Sequence, residues 1–260
     1  MNDVDRRISD PHYNEPFLSW YAGLFDQVFL ALHPFSTVAA LDPEIVQYQT
    51  TVLDRKQIEG PLTLQKYVQL SQAANATKTV DKNEFAKAQK ERGVRILWKR
   101  ICEDNGISSF HSLNRMLMSQ IGAVKEDSAD VVGVEKLAAF CRERKIFFPT
   151  EDVIQPLMES DLARLLRSLG IEKVCLSNEF NENKLNLKTA QLLTTEPWDE
   201  AFDLGFKLVK AYPLDHSFLA VVPWDSFYTI LCGKGTALTD AGVDRDFEGF
   251  WCTPDTKPEW

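Results

Sequence analysis

Histidine is scarce. The four present, His12, His33, His111 and His216, lie far apart, and no two share a helical turn. The five cysteines, Cys102, Cys141, Cys175, Cys232 and Cys252, include no C-x-x-C pair. A metal site or a redox dithiol is signalled by two ligands at such a spacing, so the sequence supports no metal. Neither the P-loop nor the dinucleotide glycine fingerprint occurs, and G-x-S-x-G is absent, so no cofactor is expected. Long apolar runs are missing too. The most apolar stretch, residues 17–32, holds Asp26 and falls short of the ~20 residues that span a bilayer. Residues 1–7 lack the basic start of a signal peptide, and the expected address is the cytoplasm, away from membranes.

Positive charge is in deficit. Lys and Arg number 29 against 38 Asp and Glu, a net charge of -9. A general nucleic-acid binder needs cations to displace phosphate counterions, so that class is disfavoured. The imbalance is local: residues 1–170 carry 21 basic and 23 acidic side chains, whereas residues 171–260 carry 8 and 15. The C-terminal third therefore accounts for -7 of the -9. An acidic surface suits a basic partner. Residues 78–100 run the other way, with eight basic and three acidic side chains. Lys87, Lys90, Arg95 and Lys99 would share the exposed side of one long helix there, as a solvated face or a contact for the acidic third.

What is present is ample for a core. The chain has 260 residues, 44% of them hydrophobic, which excludes disordered, fibrous and disulfide-stapled classes. The odd cysteine count among apolar neighbours, as in Val174-Cys175-Leu176, reads as buried free thiols. Helical spacing dominates up to residue 170. Helices are expected at about 16–33, after a Thr63 cap with Leu64, Tyr67 and Val68 on one side, and at about 81–104, 108–121, 134–144 and 150–169, where Leu162, Leu165, Leu166 and Leu169 repeat at the helical period. Beyond residue 170 come strands at 173–177 and 185–188, and a helix at 196–211. A hairpin follows, of 217–222 and 227–232 turned by Pro223-Trp224-Asp225-Ser226. A short helix after Thr236 or Thr239 and a strand at 247–252 complete the chain. The expected class is α+β: a mainly helical region, 1–170, then a smaller antiparallel sheet with packed helices, 171–260, as two domains or one continuous one.

Chemistry-bearing residues cluster in the last 90 positions. His216 is a base that Cys252 or Cys232 could meet as nucleophile, since a thiol needs such a partner to become a thiolate. Asp215 is a poor orienter for His216, because adjacent strand residues face opposite sides. Asp215 and Asp225 bracket the hairpin, too far apart to share a proton. Asp240, Asp244, Asp246 and Glu248 form an acidic run, either a solvated helix face or a docking surface for a cationic partner. Gly233-Lys234-Gly235-Thr236 follows a strand, but lacks the upstream glycine of a phosphate loop and reads as an exit turn. Of six tryptophans, four lie in this region: Trp198 by periodicity in the core, Trp251, Trp224 in the turn and Trp260 at the end. Trp224 and Trp260 are either recognition anchors or caps on the core edge.

Three segments resemble one family. Tyr212-Pro213-Leu214-Asp215-His216, Trp224-Asp225-Ser226-Phe227-Tyr228-Thr229 and Phe247-Glu248-Gly249-Phe250-Trp251-Cys252 are similar to the tail of an uncharacterised bacterial family, a domain of unknown function from bacilli. The resemblance covers roughly the last fifty residues. It implies a bacterial cytosolic protein and carries over no catalytic residue.

Two functional readings follow. One is a non-enzymatic binding module, such as an immunity-type inhibitor of a basic toxin, whose surface holds Trp224, Asp225, Asp240, Asp244, Asp246 and Trp260. The other is an enzyme or small-ligand binder with a site between the helical and α+β parts. Its first candidates are Asp215, His216, Asp225, Tyr228 and Cys252.

Overall fold

A computed structural model describes residues 9, 11, 14–46, 79–125, 128–178, 183–202 and 207–258. The chain divides into two compact units: residues 1–34 with 149–260, and residues 35–148. Gly170 lies inside the first, in the left-handed turn that ends a helix and leads into a strand.

The first unit is built on a seven-stranded sheet. Its strands are β1 (Gln27–Leu32), β4 (Lys173–Asn178), β5 (Lys184–Lys188), β6 (Leu208–Tyr212), β7 (Phe218–Val221), β8 (Tyr228–Gly233) and β9 (Gly249–Trp251). The spatial order is β5-β4-β6-β7-β8-β1-β9, and every pairing is antiparallel. One face carries Phe29, Ala31, Leu176, Ala211, Ala220 and Leu231, which alternate along their strands. Helix α6 (Pro156–Ser168) packs Leu162, Leu165 and Leu166 against them, and Leu238 and Val243 join from α8 (Ala237–Ala241) and α9 (Val243–Asp246). Each such leucine contributes about 1.5–3 kcal/mol by leaving water. Two short helices, α1 (Phe17–Trp20) and α7 (Trp198–Ala201), complete the unit.

The second unit is mainly helical. It holds α2 (Lys82–Arg92), α3 (Trp98–Asn105), α4 (Phe110–Ile121) and α5 (Val131–Glu143), with a two-stranded ribbon of β2 (Phe35–Val38) and β3 (Gly93–Ile96). Asp81, Ser109 and Asp130 cap α2, α4 and α5 by accepting from exposed backbone amides. The rings of Phe85 and Phe147 meet at a tilt in its core, their centroids 4.5 Å apart.

The fold is α+β, but its order differs from the expected one. Helices occupy the middle of the chain, and the N-terminal segment supplies a strand near the edge of the sheet. The helix expected at 16–33 is α1, a left-handed turn at Gly23 and then β1. A strand buried on both faces is a continuous apolar run, and five of the six β1 residues are buried, so its pattern imitates a helix. The helix expected at 81–104 breaks at Gly93 into α2, β3 and α3. Lys87, Lys90, Arg95 and Lys99 therefore sit on three elements and share no helical face. The helix expected at 196–211 stops at Ala201. Its far end is β6, every residue of which is buried, and 203–206 lie outside the described residues. The helix expected after Thr63 lies outside them as well. The strands at 173–177 and 185–188 and the hairpin form as read.

Candidate functional site

The register of the sheet sorts the candidate residues to its two ends. Gly233 pairs with Gln27 and with Phe218, whereas Tyr228 pairs with Leu32. The β6–β7 loop, with Asp215 and His216, is at the Gly233 end. The β7–β8 turn, with Trp224 and Asp225, is at the Tyr228 end. Asp215 and Asp225 are thus held apart, as the hairpin reading requires.

At the Gly233 end the polar groups satisfy one another. Asp215 accepts from the amide and the hydroxyl of Ser217, at 3.0 and 2.8 Å. The amide bond above all holds its carboxyl below the ordinary value. His216 has a left-handed φ of 51°, and its ring stacks on Tyr212 at 5.6 Å. Cys252 does not meet it. Its amide donates to Val28 on β1, so β1 and β8 stand between Cys252 and β7, on which His216 opens. Three strand spacings of ~4.8 Å separate them. Burial pushes the Cys252 thiol up to about 12, so at neutral pH it is no thiolate. Burial also raises Cys232 well above its ordinary range. Asp240 accepts from the Thr236 hydroxyl at 2.7 Å, and Asp244 and Asp246 are exposed on α9. Trp260 lies outside the described residues, and among those described no group of three His, Cys, Asp or Glu could hold a metal ion.

The Tyr228 end is different. Residues 149–155 are tied to it at three places: His33 just after β1, Ser226 in the β7–β8 turn and Leu208 on β6. The Thr150 carbonyl accepts from His33 Nδ1 at 2.9 Å, the Asp152 amide donates to Ser226, and the Ile154 amide donates to Leu208. His33 is fully buried, and its Nε2 accepts from the Thr229 hydroxyl at 2.9 Å, which fixes a neutral tautomer. Burial lowers its pKa to about 4, with the Thr150 bond opposing.

On this platform Asp152 and Asp225 face each other, each in the left-handed region at φ 61° and 53°. Asp152 Oδ2 accepts from the Lys207 ammonium at 3.0 Å, and its Oδ1 accepts from the Asp225 amide. The Asp225 carboxylate receives no hydrogen bond from any described residue. Burial and the Asp152 charge raise its pKa, and Lys207 offsets part of this. Two carboxylates against one ammonium leave the cluster one negative charge in excess. The preceding residue in the turn, Trp224, is 64% exposed. Such a group can hold a cation or exchange a proton.

Across residues 13–260 the chain matches the family described as Protein of unknown function (DUF2711). The chain belongs to this family. The resemblance read from the last fifty residues therefore extends over nearly all of this DUF2711 protein. It is similar to the uncharacterized protein YwbB of Bacillus subtilis (strain 168), with 25% identity over 174 residues, covering 65% of this chain and 72% of that one. No solved structure matches it significantly. No described helix of this DUF2711 chain is long and apolar enough to cross a membrane.

Asp152 and Lys207 were not among the residues singled out by sequence. Both fall within stretches expected to be helical, 150–169 and 196–211, and they stand 55 positions apart, so no local motif links them.

Proposed function

We propose that this protein is a non-enzymatic protein-binding module that recognises a basic partner, in the manner of an immunity-type inhibitor. The observation that carries the reading is the Asp225 carboxylate, unpaired among the described residues and next in sequence to the exposed Trp224, on a turn that Asp152 and Lys207 hold in place. Exposed tryptophan is a common interface anchor, and carboxylates complementary to a cationic surface speed association. The -7 charge of the C-terminal third supports the same reading. Asp240, Asp244 and Asp246, all exposed, would add to the negative field that steers such a partner.

Native mass spectrometry on protein purified gently from its source cell tests this. A basic protein in fixed stoichiometry, lost from Asp225→Lys and Trp224→Ala and weakened by reversal of Asp240, Asp244 or Asp246, is the expected result. A partner retained undiminished by all of these variants overturns the reading.

A further inference from the structure

The charges at the β7–β8 turn do not balance. Lys207 sits 3.0 Å from Asp152, and among the described residues neither forms another ion pair. The second acceptor oxygen of Asp152 is taken by the Asp225 amide. Asp225 is therefore held next to a carboxylate that has its own cation, while among the described residues no cation pairs with Asp225 directly and Lys207 reaches it only through its charge. Among the described residues nothing donates to it. Its strained backbone is fixed from the other side, because the Ser226 hydroxyl donates to the Pro223 carbonyl at 2.7 Å and the Ser226 carbonyl accepts from the Asp152 amide. The turn is thus preorganised, with one anion short of a partner and an indole exposed in the adjacent position.

The two groups select between cations. An ammonium is a compact, strongly hydrated point charge, whereas a guanidinium is planar and weakly hydrated. A guanidinium can lie on an aromatic face while its edge donates to a carboxylate. An adjacent indole and carboxylate on a rigid turn reward the planar cation on both counts.

We propose that the Trp224–Asp225 turn is an arginine-recognition site: the guanidinium of an arginine on the partner protein lies on the Trp224 indole and pairs with the Asp225 carboxylate. This rests on the protein-binding reading and names the chemistry of the contact. Binding brings the missing positive charge to the cluster, with Lys207 left on Asp152.

The test uses the full chain labelled at its tryptophan indole nitrogens. The Trp224 signal is assigned by its loss in Trp224→Phe. Titration with the capped tripeptide Gly-Arg-Gly is expected to move that signal, with saturation at a concentration about fivefold lower than for Gly-Lys-Gly. Asp225→Asn should abolish the preference, and asparagine tolerates the left-handed backbone, so the turn survives. Equal titration by the two peptides, no movement with either, or an undiminished preference in Asp225→Asn overturns the arginine assignment. The broader reading is judged separately: if Asp225→Lys still loses a co-purifying basic partner, the module stands without arginine selectivity. If that partner is retained undiminished by all the variants named under Proposed function, the module reading itself falls.

Discussion

Asp152 accepts the backbone amide of Asp225 while its other oxygen accepts from Lys207, so a loop 73 residues away in sequence holds the β7–β8 turn by one carboxylate. The two aspartates are consequently close enough to repel. Burial and the Asp152 charge raise the carboxyl of Asp225. A raised carboxyl favours its protonated form, so the penalty on the fold exists at neutral pH and fades as pH falls through the raised value. Asp225→Asn should raise Tm at pH 7, and the difference from the wild type should shrink in acid. A lower Tm at pH 7 would show that the charge stabilises the turn.

His33 gives the opposite pH response. Its folded pKa is about 4 against 6.5 in the unfolded chain. The fold thus holds the neutral ring, and stability present above pH 6.5 is lost as pH falls towards 4. The span corresponds to about 3 kcal/mol. Urea midpoints measured from pH 7 to pH 4 should fall steeply for the wild type. They should fall less for His33→Asn, whose amide can still donate to Thr150.

Glu159 is buried, and its carboxylate accepts from the Trp198 amide at 2.8 Å. Trp198 in turn donates from Nε1 to Leu192. Glu159→Gln keeps an acceptor and should cost little. Glu159→Leu strands a buried amide and should cost about 1–3 kcal/mol in chemical denaturation. Equal losses in the two variants would place the effect in packing.

Gly249 packs directly on β1. A Cβ there would run into the Leu30 carbonyl and the Phe29 ring. Gly249→Ala should displace β9 and cost about 1–3 kcal/mol, read from the urea midpoint. This explains the glycine in Phe247-Glu248-Gly249-Phe250-Trp251, one of the segments that carry the family resemblance.

Cys141 and Cys252 have thiols pushed up to about 12 by burial, and Cys232 is raised well above its ordinary range for the same reason. Ellman's reagent at pH 8 should leave these three unmodified in the native protein. All five cysteines should react in urea. Fast native labelling of Cys252 would restore it as a nucleophile.

The amino-acid sequence by itself determined the elements whose signals are local. Two short apolar runs split by a four-residue turn specified the β7–β8 hairpin, capping residues placed the starts of α2 and α4, and repeated leucines placed α6. The family match was legible in short aromatic segments. The tertiary structure alone decided that residues 27–32 and 208–212 are strands, because burial on both faces erases the period that distinguishes a strand from a helix. It alone decided the site as well. Trp224 and Asp225 are visible in the turn, but whether a carboxylate is paired depends on what the chain brings to it from elsewhere. Asp152 and Lys207 arrive through the closure of a sheet whose strands are not in sequence order, and a local pattern of residues contains no record of that closure.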